Sequence, residues 1–332
     1  MRAWLMDSYE GVEKLRLDEV SDPQPGAGQI VMRTIYAGLN PADAFLAQAQ
    51  YPAKPSLPHV LGRDGVGEVI ALGAGVSDLK LGAQVAILHG NTGVEAWGTL
   101  AEKTAVNAAE VTPVPQGWSL EEVAGAPLVY LTAWQALTQW SEPEAPPAPG
   151  SVVLITGASG GVGSAAVLLA KSMGLTVVGL SRSGKKAAQL QQLGADFVFD
   201  PTEQGLRKRV LSAIAPKRVD LVVDSVAGPL FNEVIAMLAY GGRISVVGRS
   251  GGTVPEFNTG TLFFRRNRIG GVSVADYTSP QAKSTWNQCV ARLDAQGKRP
   301  VIDSVFAFPD VKAAFARLNE GPMGKVLVKI AP

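Results

Sequence analysis

Gly157, Gly160, Gly161 and Gly163 crowd the stretch ITGASGGVGSA (155–165), between an apolar strand-like run and a helix-like run. Glycine permits a tight turn, lets a backbone approach a pyrophosphate and lets a helix pack closely on a strand. A helix N-terminus adds N–H donors and the positive end of a dipole. The chemistry this spacing serves is the holding of a dinucleotide phosphate, with Gly157, Ser159, Gly160, Gly161, Val162 and Gly163 as the cradle. The competing reading is an ordinary turn, and the position at the first strand–helix junction of an alternating segment favours the nucleotide. The next strand-like run, LTVVGLS, ends at Ser181 and is followed by Arg182, Ser183, Lys185 and Lys186 with no carboxylate. An acidic residue there would hold the ribose 2′-hydroxyl of NAD, whereas arginine suits the 2′-phosphate of NADP. Ser181, Arg182 and Lys185 are therefore expected to contact NADP(H) through charge-assisted hydrogen bonds. Lys186 reads as the solvated start of the next helix. Gly248, after ISVV, closes a later strand at the edge where ligands of such sheets bind.

The elements that must position these residues begin at Ser151. Apolar runs SVVLIT, LTVVGLS, ADFVFD, VDLVVDSV and GRISVVGR alternate with amphipathic GVGSAAVLLAKSMG, GKKAAQLQQLG, EQGLRKRVLSAI and PLFNEVIAMLAYG. That alternation implies crossover connections and a doubly wound parallel sheet covered on both faces, an α/β fold. The first third differs. AWLMDSY, KLRLDEV, GQIVMRTIYAG, GVGEVIALG and AQVAILHG are short strand-like runs separated by glycine- and proline-rich turns, which predicts a compact β-rich domain. Ser119 is expected to cap a helix over 119–140, with Glu121 and Glu122 in its first turn. The proline-rich SEPEAPPAPG then stops the helix and reads as an exposed connection. The final run, GKVLVKI, is able to pair back into the first domain and make it discontinuous.

The chain of 332 residues is long enough for two domains, and 46% hydrophobic against 18% charged residues fits a compact fold. The net charge of +1 is spread without a long like-charge block, so nothing electrostatic points to nucleic acid. MRAWLMDSYE carries charges early and lacks an apolar core, which predicts neither a signal peptide nor a membrane anchor and makes a cytoplasmic enzyme the default. The single cysteine, Cys289, forbids an intrachain disulfide and a cysteine-based zinc cluster.

Five stretches occur in a telling order: GLNPADAFLAQAQYPAKPSLPHVLGRDGVGEVIALGAGVSDLKLGAQV, GTLAEKTAVNAAEVTPVPQGWSLEEVAGAPLVYLTAWQAL, ASGGVGSAAVLLAKSMG, GGRISVVG and GKVLVKI. Together they resemble the medium-chain dehydrogenase/reductase superfamily, in its zinc-independent, zeta-crystallin-like quinone oxidoreductase branch. The resemblance implies a GroES-like catalytic domain built from residues 1–124 and 274–332 around a Rossmann NADP-binding domain at 125–273. It also implies a homodimer or homotetramer and an active site in the cleft between the domains. Zinc-dependent relatives place metal ligands at positions matching Asn40, Arg63 and Leu128. Arginine is a poor ligand and leucine has no lone pair, so NADP(H) without zinc is the expected cofactor set.

Without a Lewis acid, routine alcohol oxidation is disfavoured, whereas reduction of an electrophilic quinone or α,β-unsaturated carbonyl remains feasible. Such a protein needs to stack the acceptor on the cofactor and hydrogen-bond its oxygen as charge develops. On the resemblance, Asn40 serves that oxygen or the nicotinamide ribose; its bland alternative is to cap the turn before Pro41. Tyr51 matches a tyrosine near the substrate and would donate or stack, unless it only packs a loop. Thr132, on the helix entering the cofactor domain, is placed near the nicotinamide, and Tyr130 reads as core. His59 and His89 read as structural. Arg265, Arg266 and Arg268 form either a solvated rim or a grip for an acidic thioester. Two alternatives stay open: a 2-enoyl-thioester reductase, and a non-catalytic NADPH-binding scaffold or redox sensor.

Overall fold

The computed structural model describes residues 1–253 and 257–331. It divides into two compact units, one of residues 1–128, 275–287 and 299–332, the other of 129–274 and 288–298. The first boundary falls four residues later than the sequence suggested, and 288–298 sits with the second unit.

The first unit contains β1 (Arg2–Met6), β2 (Arg16–Glu19), β3 (Gln29–Gly38), β4 (His59–Val60), β5 (Asp64–Leu72), β6 (Gln84–Ile87), β7 (Lys103–Asn107) and β8 (Val111–Pro113). The second contains β9 (Val152–Ile155), β10 (Thr176–Leu180), β11 (Phe197–Phe199), β12 (Val219–Asp224), β13 (Leu238–Val246) and β14 (Arg268–Gly271), and the chain returns to the first with β15 (Ile302–Ala307) and β16 (Lys325–Lys329). β16 lies antiparallel to β3, with Leu327 opposite Gly38, so the last strand does re-enter the first unit. The order β15-β16-β3-β5-β6-β8, with β7 also paired to β3, closes one large sheet; β2-β1-β4 form a second. Ile30, Met32, Val69, Val85, Ile87, Val106 and Val111 fill one core, and Ala37, Leu39, Leu61, Leu100, Phe315, Val326 and Val328 belong to another. Alternate residues of one strand serve opposite faces, as Met32 and Ala37 of β3 do.

In the second unit all strands are parallel, in the order β11-β10-β9-β12-β13-β14. This is the 3-2-1-4-5-6 order of dinucleotide-binding sheets, with its reversal between β9 and β12. Strands buried along their length, such as β9 with all four residues covered, are what two helical layers require.

Helices α1 (Pro41–Ala47), α2 (Leu120–Ala124), α3 (Pro127–Thr138) and α4 (Gly161–Ser172) carry or border the candidate residues. Ser119 caps α2: its hydroxyl accepts from the Glu122 N–H at 3.1 Å, and the Glu122 carboxylate accepts from the Ser119 N–H at 2.7 Å. The expected helix over 119–140 is broken into α2 and α3, because Pro127 lacks an N–H and pushes its predecessor out of helical conformation. Among the described residues, no helix is long and apolar enough to cross a membrane.

Candidate functional site

The glycine turn behaves as the spacing demands. Gly157 has φ +58°, the left-handed region that favours glycine. A Cβ on Gly163 would lie 2.2 Å from the Gly157 carbonyl oxygen, so α4 approaches the turn only because this residue has none. α4 starts at Gly161, directly after the turn, and its first N–H groups point out of the sheet's carboxyl edge. Ser159, Gly160, Gly161 and Val162 are all partly exposed there.

The turn is tied to the neighbouring strand in a way the sequence did not announce. The Thr156 hydroxyl donates to Asp224 Oδ1 at 2.6 Å and accepts from the Ser225 N–H at 3.0 Å, while the Val226 and Ala227 N–H groups also donate to that Asp224 oxygen. Asp224 thus folds the end of β12 against the end of β9, at the reversal of strand order. Asp224 Oδ2 and Ser225 Oγ, both buried, have no hydrogen-bond partner among the described residues. Gly248 continues this rim: its N–H donates to the Asp224 carbonyl at 3.2 Å, and a Cβ there would stand 3.1 Å from the Ser225 carbonyl oxygen.

Ser181 follows β10, and its N–H donates to the Phe199 carbonyl of β11 at 3.0 Å. Its hydroxyl is buried and likewise unpartnered. Arg182 and Lys185 are exposed beside it. Asp200 is close enough to feel the Arg182 charge, yet its carboxyl is held low chiefly by the Thr202 hydroxyl and N–H, which occupy Oδ1. Glycines whose Cβ would collide, buried hydroxyls without a partner among the described residues, and exposed cationic side chains fit a phosphorylated dinucleotide along this edge.

In the first unit, Asn40 stands two residues past the end of β3, as the N-cap of α1. Its Nδ2 donates to Asp64 Oδ2 at 2.9 Å and, at a long 3.4 Å, to the Gly38 carbonyl. Its Oδ1 accepts from Lys325 Nζ at 2.7 Å, and the same ammonium pairs with Asp64 Oδ2 at 3.0 Å. The strand order explains the meeting: Asp64 opens β5 opposite Gly38, and Lys325 opens β16 on the other flank of β3. Two glycines make the room. A Cβ on Gly38 would lie 2.8 Å from Gly125 Cα, and one on Gly125 would lie 2.6 Å from Lys325 Cε. Asn40, Asp43, Asp64 and Lys325 are all buried, at 5%, 0%, 1% and 4% exposure.

Asp43 completes the cluster. Its Oδ2 accepts from the Asn40 N–H at 2.8 Å, and its Oδ1 has no partner among the described residues. Burial pushes its carboxyl up to about 6, against the pull of the Asn40 N–H and the charges of Arg63 and Lys325, with the Asp64 charge adding to the rise.

Arg63 donates to the Tyr51 hydroxyl oxygen at 3.0 Å and stacks over its ring at 5.5 Å, so Tyr51 is fixed from one side and keeps its hydroxyl hydrogen for another acceptor. Thr132 is partly exposed on α3, whereas Tyr130 is 2% exposed and burial raises its phenol far above the ordinary range. His59 lies buried in β4 opposite Met6, and burial lowers it; burial also lowers the half-covered His89. Arg265 donates to the Ala236 and Leu238 carbonyls, and Arg268 stacks on Trp140 at 5.7 Å, so two of the three rim arginines have partners within the unit.

Sequence reasoning missed Thr156, Asp224, Asp64 and Lys325. All four stand inside or beside quoted runs. Lys325 carried one overlooked signal, a lysine buried at the head of the strand KVLVK, whose interior residues Val326, Leu327 and Val328 are apolar.

A sequence family described as "Alcohol dehydrogenase GroES-like domain" matches residues 26–116, and one described as "Zinc-binding dehydrogenase" matches 161–295. A quinone oxidoreductase of Rattus norvegicus is 30% identical over 334 residues, covering 99% of this chain and 97% of that protein. Among solved structures, an NAD-dependent alcohol dehydrogenase superposes with TM-score 0.89 at 29% identity, covering 100% of both chains. A mycobacterial protein solved as a complex with NADPH superposes with TM-score 0.89 at 25% identity, covering 99% of this chain and 100% of that one.

Proposed function

From the premise that this chain belongs to the medium-chain dehydrogenase/reductase superfamily and is an oxidoreductase of that type, we propose that it passes hydride from NADPH to a quinone or α,β-unsaturated carbonyl without zinc. The observation that carries the reading is the seat of Lys325. At the positions the resemblance equates with metal ligands stand Asn40 and Arg63, and the Asn40 oxygen is already taken by an ammonium 2.7 Å away. An amide oxygen held by an ammonium, with an arginine where a second ligand would stand and Asp64 already paired to that ammonium, is a poor seat for a divalent metal, so the zinc-binding name of the matched family does not fit these residues, and no step is routed through a metal.

When bound, the cofactor supplies the hydride. Gly157, Ser159, Gly160, Gly161, Val162 and Gly163 hold its pyrophosphate at the head of α4; Ser181, Arg182 and Lys185 take the 2′-phosphate; Gly248 keeps the rim open. Thr132 orients the nicotinamide. Asn40 offers an N–H to the acceptor oxygen as negative charge gathers there, and Tyr51, held by Arg63, donates its hydroxyl hydrogen to the same class of oxygen. Each donor is preorganised by partners already in place, which is what makes such contacts worth more in the transition state than in the ground state. A homodimer or homotetramer belongs to this reading, as the resemblance implies, and the cytoplasm is the compartment proposed for it.

The test is an acceptor screen: quinones, enones and 2-enoyl thioesters with NADPH and NADH in parallel, and alcohols with the oxidised cofactors. Turnover of quinones or enones is expected. Thioester turnover alone would move the assignment to an enoyl-thioester reductase, and cofactor binding without any turnover would make the chain a scaffold.

A further inference from the structure

We infer that Lys325 is a positioning residue, whose ammonium fixes the Asn40 amide so that it presents N–H rather than oxygen to the substrate. The inference rests on the reading of Asn40 as the group facing the acceptor oxygen. An ammonium can only donate and a carboxylate can only accept, so Lys325 on one side and Asp64 on the other dictate which end of the amide is Oδ1 and which is Nδ2. Turned over, the amide would set its oxygen against the Asp64 carboxylate and its NH2 against the ammonium, two repulsions replacing two bonds. In the orientation held, one Nδ2 hydrogen is spent on Asp64. The other reaches the Gly38 carbonyl at 3.4 Å, a long and weak bond, and is the one that a ligand oxygen could compete for.

Burying a lysine is costly, and a buried ion pair is often no more stabilising than apolar residues of the same shape. Yet the chain reserves space for this one: Gly125 has no Cβ where one would stand 2.6 Å from Lys325 Cε. Lys325 is 285 positions from Asn40 along the chain, so the final strand delivers the restraint. An amide turned the wrong way would offer a lone pair to an oxygen gaining negative charge, and it would impair the transition state more than the bound substrate.

The experiment compares Lys325→Met with Lys325→Gln in the full chain, using NADPH and 1,4-benzoquinone. The two side chains are similar in size, but only glutamine can donate to Asn40 Oδ1. Unfolding midpoint and NADPH affinity are measured alongside kcat and KM. The expected result is that methionine lowers kcat roughly ten- to a hundredfold, less than the roughly hundred- to thousandfold cost of deleting an oriented donor because the amide is loosened and not removed, with KM for the quinone changed less than about threefold. Glutamine recovers about tenfold of that loss, the larger part of one oriented hydrogen bond. Equal losses in both variants, or a methionine variant with wild-type kcat, would overturn the inference, because Lys325 would then only balance charge or do nothing for turnover. Should the single variants not fold, the same pair is compared on an Asp64→Asn background, which removes the stranded carboxylate. A wild-type protein that binds NADPH but reduces no acceptor would overturn the functional reading and this inference together. That result is distinct from one in which only the variants behave alike.

Discussion

Asp43 sits where its own charge is unwelcome, fully buried with one oxygen lacking a partner among the described residues and its carboxyl pushed up to about 6 by burial. Between the ordinary carboxylate range and that value, the folded chain holds a proton that the unfolded chain releases. The stabilisation is therefore complete at low pH and is lost as pH rises through about 6, a change of about 3 kcal/mol for a shift of roughly two units. Asp43→Asn keeps an acceptor for the Asn40 N–H and removes the titration. Chemical unfolding of both proteins across pH 4 to 7 should show the wild type losing ground to the variant as pH rises; a constant difference would contradict the environment described. Arg182, exposed beside the buried Ser181 hydroxyl, which has no partner among the described residues, invites a second residue-scale test. Arg182→Ala is expected to weaken NADPH binding about tenfold, the scale of one charge-assisted contact, and leave NADH binding nearly unchanged. Loss of both alike in a titration would remove Arg182 from 2′-phosphate recognition. The residues legible from sequence were those whose type is itself an instruction, above all glycines in a strand–helix turn. Lys325 and Asp64 were not, because their partnership is set by strand neighbours far apart in the chain and no local period encodes it.

The elements explain how the turn keeps the shape proposed for a phosphate cradle. Gly163 lets α4 close on the turn, and Thr156 with Asp224 ties that turn to β12. Gly163→Ala would put a methyl group 2.2 Å from a backbone oxygen, so helix or turn must shift. Overpacking of this kind costs about 1–3 kcal/mol, and NADPH affinity should fall with it; a variant with an unchanged melting temperature and unchanged affinity would deny the close approach. Alternation of apolar and amphipathic runs made the doubly wound sheet readable, since buried parallel strands leave that period in the sequence. The apolar spacing of 119–140 continues across Gly125 and Ala126 and so predicts one helix. Pro127, a backbone effect rather than a periodic one, divides it.

At the scale of the whole molecule, the discontinuous first unit brings a strand from far along the chain to the proposed site. β16 enters the sheet beside β3 and brings Lys325 to Asn40, so the last few residues matter as much to the proposed chemistry as the motifs near the start. The return of the last strand was foreseen in outline; its chemical consequence was not, since it depends on register, with Leu327 opposite Gly38. The central claim is NADPH-dependent reduction of a quinone or enone by a protein that needs no zinc. Its most direct test is steady-state reduction of 1,4-benzoquinone by NADPH and by NADH after exhaustive treatment with a zinc chelator. The account predicts undiminished turnover with a clear preference for NADPH. Preference for NADH, or activity that disappears on chelation and returns with added zinc, would contradict it.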